Sequence, residues 1–123
     1  MTEADTEPRK QRHDRALYED LLATVRLMEP HVRTGSMFGC PAVYCGRKLA
    51  ACVYGTAVAL RVPAATATQA LKRGQAVPFQ PHGMAPMKEW IQIDGAALPD
   101  ATDLLAAAVS FATANNAARG RKR

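Results

Sequence analysis

From Leu17 to Met28 apolar side chains return every three to five positions. Leu17, Leu21, Leu22, Val25 and Met28 form one stripe, with Arg12, Arg15, Glu19 and Arg26 off it. That period is helical. It predicts a first helix from about Gln11 to Met28, stopped by Pro30, whose ring cannot continue it. The pattern then changes to short apolar runs between turn residues. Ser36 to Gly39 reads as a short strand segment. Ala42 to Cys45 and Lys48 to Tyr54 flank Gly46-Arg47, and Gly55-Thr56 leads into Ala57 to Val62. Two-residue turns opened by glycine suit β-hairpins, so a three-stranded antiparallel meander is expected, ended by Pro63. Residues 64–73 read as a short helix with a stop at Gly74. Val77 to Gln80 and Lys88 to Ile93 read as two more strands around the loop 81–86, with Asp94-Gly95 as the closing turn. A last helix is expected from Asp100 or Thr102 to about Ala114, capped by Asp100, with Asp103 near its N-terminus. Its buried stripe is Leu104, Leu105, Ala108, Phe111 and Ala112. The predicted class is α+β, in the order α-β(3)-α-β(2)-α, with an antiparallel sheet and helices packed mainly on one face.

If both hairpin turns hold, they set the strand register. Tyr54 faces Ala57, Val53 faces Val58 and Ala51 faces Leu60; Cys45 faces Lys48 and Tyr44 faces Leu49. One face then carries Ala42, Tyr44, Leu49, Ala51, Val53, Val58, Leu60 and Val62, the expected core. The other carries Val43, Cys45, Ala50, Cys52, Tyr54, Ala57, Ala59 and Arg61, which is too apolar for open solvent. Two readings stand: a partner-binding interface at Val43, Cys45, Cys52, Tyr54, Ala57 and Ala59, most simply for a second copy, or a face covered within the chain by the last helix or the N-terminal arm.

The 123 residues fit one domain: a disordered arm over 1–10, a domain over 11–115 and a basic tail over 116–123. No apolar run approaches the roughly 18 residues of a membrane span. The polar start Met1-Thr2-Glu3-Ala4-Asp5 has no apolar stretch like a signal peptide's. A cytoplasmic protein with no membrane partner is expected. The net charge of +5 sits largely at the ends, in Arg119, Arg121, Lys122 and Arg123 and in Arg9, Lys10, Arg12 and Arg15. Without the four C-terminal cations the rest of the chain is close to neutral. Such termini can attract nucleic acid weakly and with a steep salt dependence.

Little in the chain points to catalysis. Cys40, Cys45 and Cys52 have a C-x4-C-x6-C spacing that fits no common zinc pattern. The register places Cys45 roughly 13 Å from Cys52 at about 3.3 Å per residue, too far to share a metal or a disulfide. Cys40 lies beyond the strand start. Ser36, Cys40 and Cys45 as nucleophiles, with His13, His31 and His82 as bases, lack any elbow, paired-carboxylate or phosphate-loop setting. No metal, no cofactor and no enzymatic activity are expected. Trp90 reads either as a core anchor with Lys88 and Glu89 at the sheet edge, or as part of a ligand or peptide groove with Met84, Met87, Lys88 and Phe38. Methionines beside a tryptophan and a loop make an adaptable apolar site.

Met37-Phe38-Gly39, the hairpin with Tyr44, Gly46 and Lys48, and the later Met87, Lys88 and Trp90 occur in an order that resembles the TfoX N-terminal domain, named for bacterial competence regulators. The resemblance covers roughly residues 14–113. Cys40-Pro41 stands where a second glycine is common, and Arg47 is inserted before the lysine. The resemblance implies an α+β domain acting in regulation. The function expected is a small non-enzymatic interaction domain, a transcription- or competence-type regulatory accessory, with a protein partner or a homodimer. The alternatives are a weak nucleic-acid-binding accessory using the basic termini, or a small-ligand-binding domain.

Overall fold

In a computed structural model the chain is described over residues 13–37, 39–83 and 85–121, with the backbone only at His82 and over 115–121. Helix α1 spans Arg15–Met28 and starts where Asp14 accepts a hydrogen bond from the Leu17 N–H at 3.0 Å. This aspartate satisfies one of the helix's open N-terminal donors. The helix therefore begins four residues after the expected Gln11. Four strands follow: β1 (Val32–Met37), β2 (Cys40–Cys45), β3 (Lys48–Tyr54) and β4 (Ala57–Arg61). Helix α2 covers Ala64–Lys72. The two-residue β5 (Val77–Pro78), β6 (Trp90–Asp94), a 3-10 turn over Gly95–Asp100 and helix α3 (Thr102–Arg121) complete the chain. The order is α-β(4)-α-β(2)-α. The added strand is β1, of which the sequence pattern showed only the end, because its centre Arg33-Thr34-Gly35-Ser36 is polar and exposed. The last helix continues past Ala114 to Arg121.

All six strands form one antiparallel sheet in the order β1-β2-β3-β4-β6-β5. Both predicted turns are present, with Gly46 and Gly55 at φ of 66° and 64°, a backbone region that costs a side-chain-bearing residue energy. The β3–β4 register is the expected one.

The faces differ from expectation because the β2–β3 ladder slips at Val43/Tyr44. Tyr44 faces Leu49, yet Val43 faces Ala51, so Ala50 is the extra residue of a β-bulge. Beyond the bulge every side chain of β2 changes sides relative to β3. Val43, Cys45 and Ala50 lie with Ala51, Val53, Val58 and Leu60 in the main core, under α1 and α3. Ala42 and Leu49 lie on the opposite face with Cys52 and Ala59, and Tyr44 packs against them. The main core takes Leu17, Leu21 and Val25 from α1 and Leu104, Leu105, Ala108 and Ala112 from α3. Ala67 and Ala70 of α2 join it.

Two segments converge on the β3–β4 turn. The Asp14 N–H donates to the Gly55 carbonyl at 2.9 Å, and the Gly95 N–H donates to the Thr56 carbonyl at 2.9 Å. The Gly55 N–H donates to His13 Nδ1 at 2.9 Å. A Cβ at Gly95 would lie 2.5 Å from the Thr56 carbonyl oxygen and 2.7 Å from Leu17 Cδ2. Gly95→Ala must therefore push the turn and the start of α1 apart. It is expected to cost about 1–3 kcal/mol, readable as a lower urea midpoint with unchanged slope. No change in the midpoint would show that the clasp gives way freely.

Candidate functional site

Opposite α1 and α3 the sheet is closed by the chain itself. Phe79, just after β5, and Trp90, at the start of β6, pack with Ala42, Cys52 and Ala59 of β2, β3 and β4, with Met87 against them, and Phe79 is the largest side chain with no exposed surface. Phe79 sits edge-on to Tyr54, with ring centroids 5.6 Å apart at 82°, and packs against Trp90 at 5.4 Å. His13 extends the row, 6.2 Å from Tyr54. Aromatic pairs at such separations add to plain burial.

The six residues expected to form one interface are thereby divided. Val43 and Cys45 lie beneath the helices. Cys52 and Ala59 have no exposed surface beneath Phe79 and Trp90. Only Tyr54 and Ala57 keep partial exposure. The bulge at Ala50 and the burial by Phe79 are the physical reasons that these residues do not form a common surface.

The cysteines are rearranged by the same slip. Cys45 and Cys52 occupy opposite faces. Cys40, read from the sequence as displaced, shares a face with Cys52, and their thiols hydrogen-bond. No disulfide joins them. Burial raises the Cys40 thiol above its ordinary range and pushes Cys45 up to about 11 and Cys52 up to about 12. Thiols held protonated in this way are poor nucleophiles and poor ligands at neutral pH. Among the described residues no group of three or more His, Cys, Asp or Glu side chains is placed to hold a metal ion. Nor is any helix there long and apolar enough to cross a membrane.

Trp90 belongs to both sequence readings. It is buried against Phe79, and it also forms part of the wall of a groove of about 360 Å³ between α2 and the segment before β6. Met87 and Lys88 line the same groove, together with Pro86, Pro78 and, from α2, Ala64, Ala67, Thr68 and Leu71. α2 makes this possible because its inner side carries alanine and threonine, whose short side chains leave room above the indole. Among the described residues Leu71, at 38%, and Val77, at 54%, are two of the three large apolar side chains left exposed. Lys88, exposed in the turn before β6, supplies a cation. The neighbouring carboxylate, Glu89, is engaged by Arg61 at 3.0 Å, and that guanidinium lies 5.1 Å from the Phe111 ring centroid. β6 thus begins at Trp90, with Lys88 and Glu89 in a turn instead of on the strand.

Of the sequence-predicted groove residues the structure unites Met87, Lys88 and Trp90, while Phe38 and Met84 lie outside the described residues. The contribution of α2 was missed, and its only sequence signal is the small-residue run 64–70. Of the basic residues, Arg15 is exposed at the start of α1. Arg9, Lys10, Arg12, Lys122 and Arg123, and the side chains of Arg119 and Arg121, lie outside the described residues.

The family model of the TfoX N-terminal domain matches residues 20–114, which takes in the sheet and most of all three helices. The chain belongs to the TfoX N-terminal domain family. The match contains the β1–β2 and β2–β3 hairpins and the Met87–Trp90 segment, so the groove lies inside the TfoX N-terminal domain. The comparison with curated proteins finds no match.

Proposed function

We propose that this TfoX N-terminal domain is a non-enzymatic interaction module that binds a short apolar segment of a protein partner in the groove between α2 and Met87–Trp90. The supporting observation is the groove itself. Its aromatic wall is held rigid by Phe79, its α2 side is made of small residues, and Leu71 and Val77 stand exposed near it. Apolar side chains left in water beside a concave site gain most by being covered. Lys88 at the groove favours an occupant with an acidic flank. A regulatory role of competence type is what the family name adds to this reading.

Trp90 is the chain's one tryptophan, so its emission reports the groove directly. Titration with a leucine-rich peptide carrying a flanking aspartate is expected to give a saturable change in Trp90 emission. Leu71→Asp or Thr68→Arg is expected to weaken binding at least about tenfold. A flat titration, or binding indifferent to both variants, would remove the groove as the site.

A further inference from the structure

The sheet ends differently on its two sides. β5 closes one edge with Val77 and Pro78 alone, and a proline offers no N–H to a further strand. β1 closes the other with six residues, Val32–Met37, of which Arg33 to Ser36 are exposed. It pairs with β2 without a break from Val32 to Met37. It carries no proline and no acidic residue, and one charge, Arg33. Natural edge strands are usually shortened, bulged, capped by proline or charged to prevent pairing; β1 has only the one arginine.

We propose that β1 pairs with β1 of a second copy, antiparallel about a two-fold axis normal to the sheet and centred on Thr34. This joins two six-stranded sheets into one. The proposal does not depend on the groove. Backbone groups alternate in direction along an antiparallel strand. A Gly35 backbone hydrogen bond meets Tyr18 Oη, the same hydroxyl that donates to the Ala42 carbonyl of β2 at 2.7 Å. Gly35 therefore turns its amide toward β2, and Val32, Thr34 and Ser36 turn theirs outward. Tyr44 agrees with this: its ring lies against Gly35, and its hydroxyl donates to the Ser36 carbonyl at 3.0 Å. That carbonyl keeps a second lone pair for a partner N–H.

A two-fold centred on Thr34 sets Thr34 opposite its own copy, Val32 opposite Ser36 and Arg33 opposite Gly35. The outward groups of Val32, Thr34 and Ser36 all find partners, side chains keep to their own faces, and the two Arg33 residues never oppose each other. Pairing of β1 with the far edge of another copy would meet Pro78, so the self-complementary arrangement is the one left open to a second copy. The same axis makes α1 antiparallel to its copy. On the flank that Tyr18 turns to β1, half-buried Leu22 is followed outward by exposed Glu19 and Arg26. In the antiparallel array Glu19 of each copy is turned to the side of Arg26 of the other, a complementary charge pattern.

Sedimentation of the full chain from low micromolar to sub-millimolar concentration tests the proposal. A dimer is expected. Thr34→Pro removes one outward N–H, and Thr34→Lys opposes two like charges. Each is expected to weaken the dimer at least about tenfold. Thr34→Cys, oxidised with diamide, is expected to give a reducible covalent dimer, because facing residues of a hydrogen-bonded pair lie within disulfide reach. Circular dichroism checks folding. If Thr34→Pro unfolds, Thr34→Lys, a change at an exposed side chain, decides alone. A wild-type monomer at sub-millimolar concentration, or a dimer that Thr34→Lys leaves intact, would overturn the proposal.

Discussion

Phe79→Ala is expected to remove about 3–5 kcal/mol of unfolding free energy, a large share of the roughly 5–15 kcal/mol that holds a domain together. Phe79 has no exposed surface and fills the space between the Tyr54 and Trp90 rings. Beneath it lie Ala42, Cys52 and Ala59, side chains too small to swell into a vacated site. The deletion leaves a cavity in addition to the lost transfer energy. The sheet's second face is then open, and the Trp90 wall of the groove loses its support. Urea unfolding of Phe79→Ala against Leu71→Ala, a partly exposed control, measures the difference. A loss within about 1 kcal/mol of the control would mean that Phe79 does not seal this face.

The domain is also expected to lose stability on the alkaline side, with buried thiols as the cause. Desolvation is the largest effect on Cys45 and Cys52, pushing them from 9.0 to about 11 and about 12. Glu29 adds to the rise at Cys45, and Cys40 adds to it at Cys52. In the unfolded chain these thiols ionise near their ordinary value, so above it the unfolded state holds fewer protons than the folded one. Stability then falls as pH rises. The contribution is whole below about pH 9 and is lost progressively towards about pH 11 for Cys45 and about pH 12 for Cys52. Tyr18, also raised by burial, acts in the same direction. Urea midpoints between pH 8 and pH 11 for wild type and for the Cys45→Ala, Cys52→Ala double variant are the measurement. The double variant is expected to show a shallower decline. Equal slopes would assign the alkaline loss to other groups.

The legible parts of this fold are those specified by local chemistry. The stripe Leu17, Leu21 and Val25 suits only a helix with one buried side, and Gly46 and Gly55 suit hairpin turns. From these the class, the meander and the β3–β4 register follow. β1 was mostly illegible because an exposed edge strand needs no apolar alternation: its pairing is carried by backbone groups that every sequence possesses. The groove was half legible. Met87, Lys88 and Trp90 are adjacent in the chain, and large apolar residues in a loop region invite attention. The α2 wall consists of alanines and threonines whose meaning depends on what faces them.

The sequence by itself determined family membership, the α+β class, both glycine hairpins and the composition of the helix stripes, because each depends on neighbours a few residues apart. Tertiary structure alone decided which residues share a face. One extra residue at Ala50 moves Val43 and Cys45 under the helices and Ala42 and Leu49 away from them. Such a slip leaves no local mark, since alanine fits either register and only packing of the whole sheet selects one. It also decided that Phe79, 25 residues beyond Tyr54 in the chain, closes the second face. Long-range burial of this kind depends on where the chain returns, a property that no short window of residues contains.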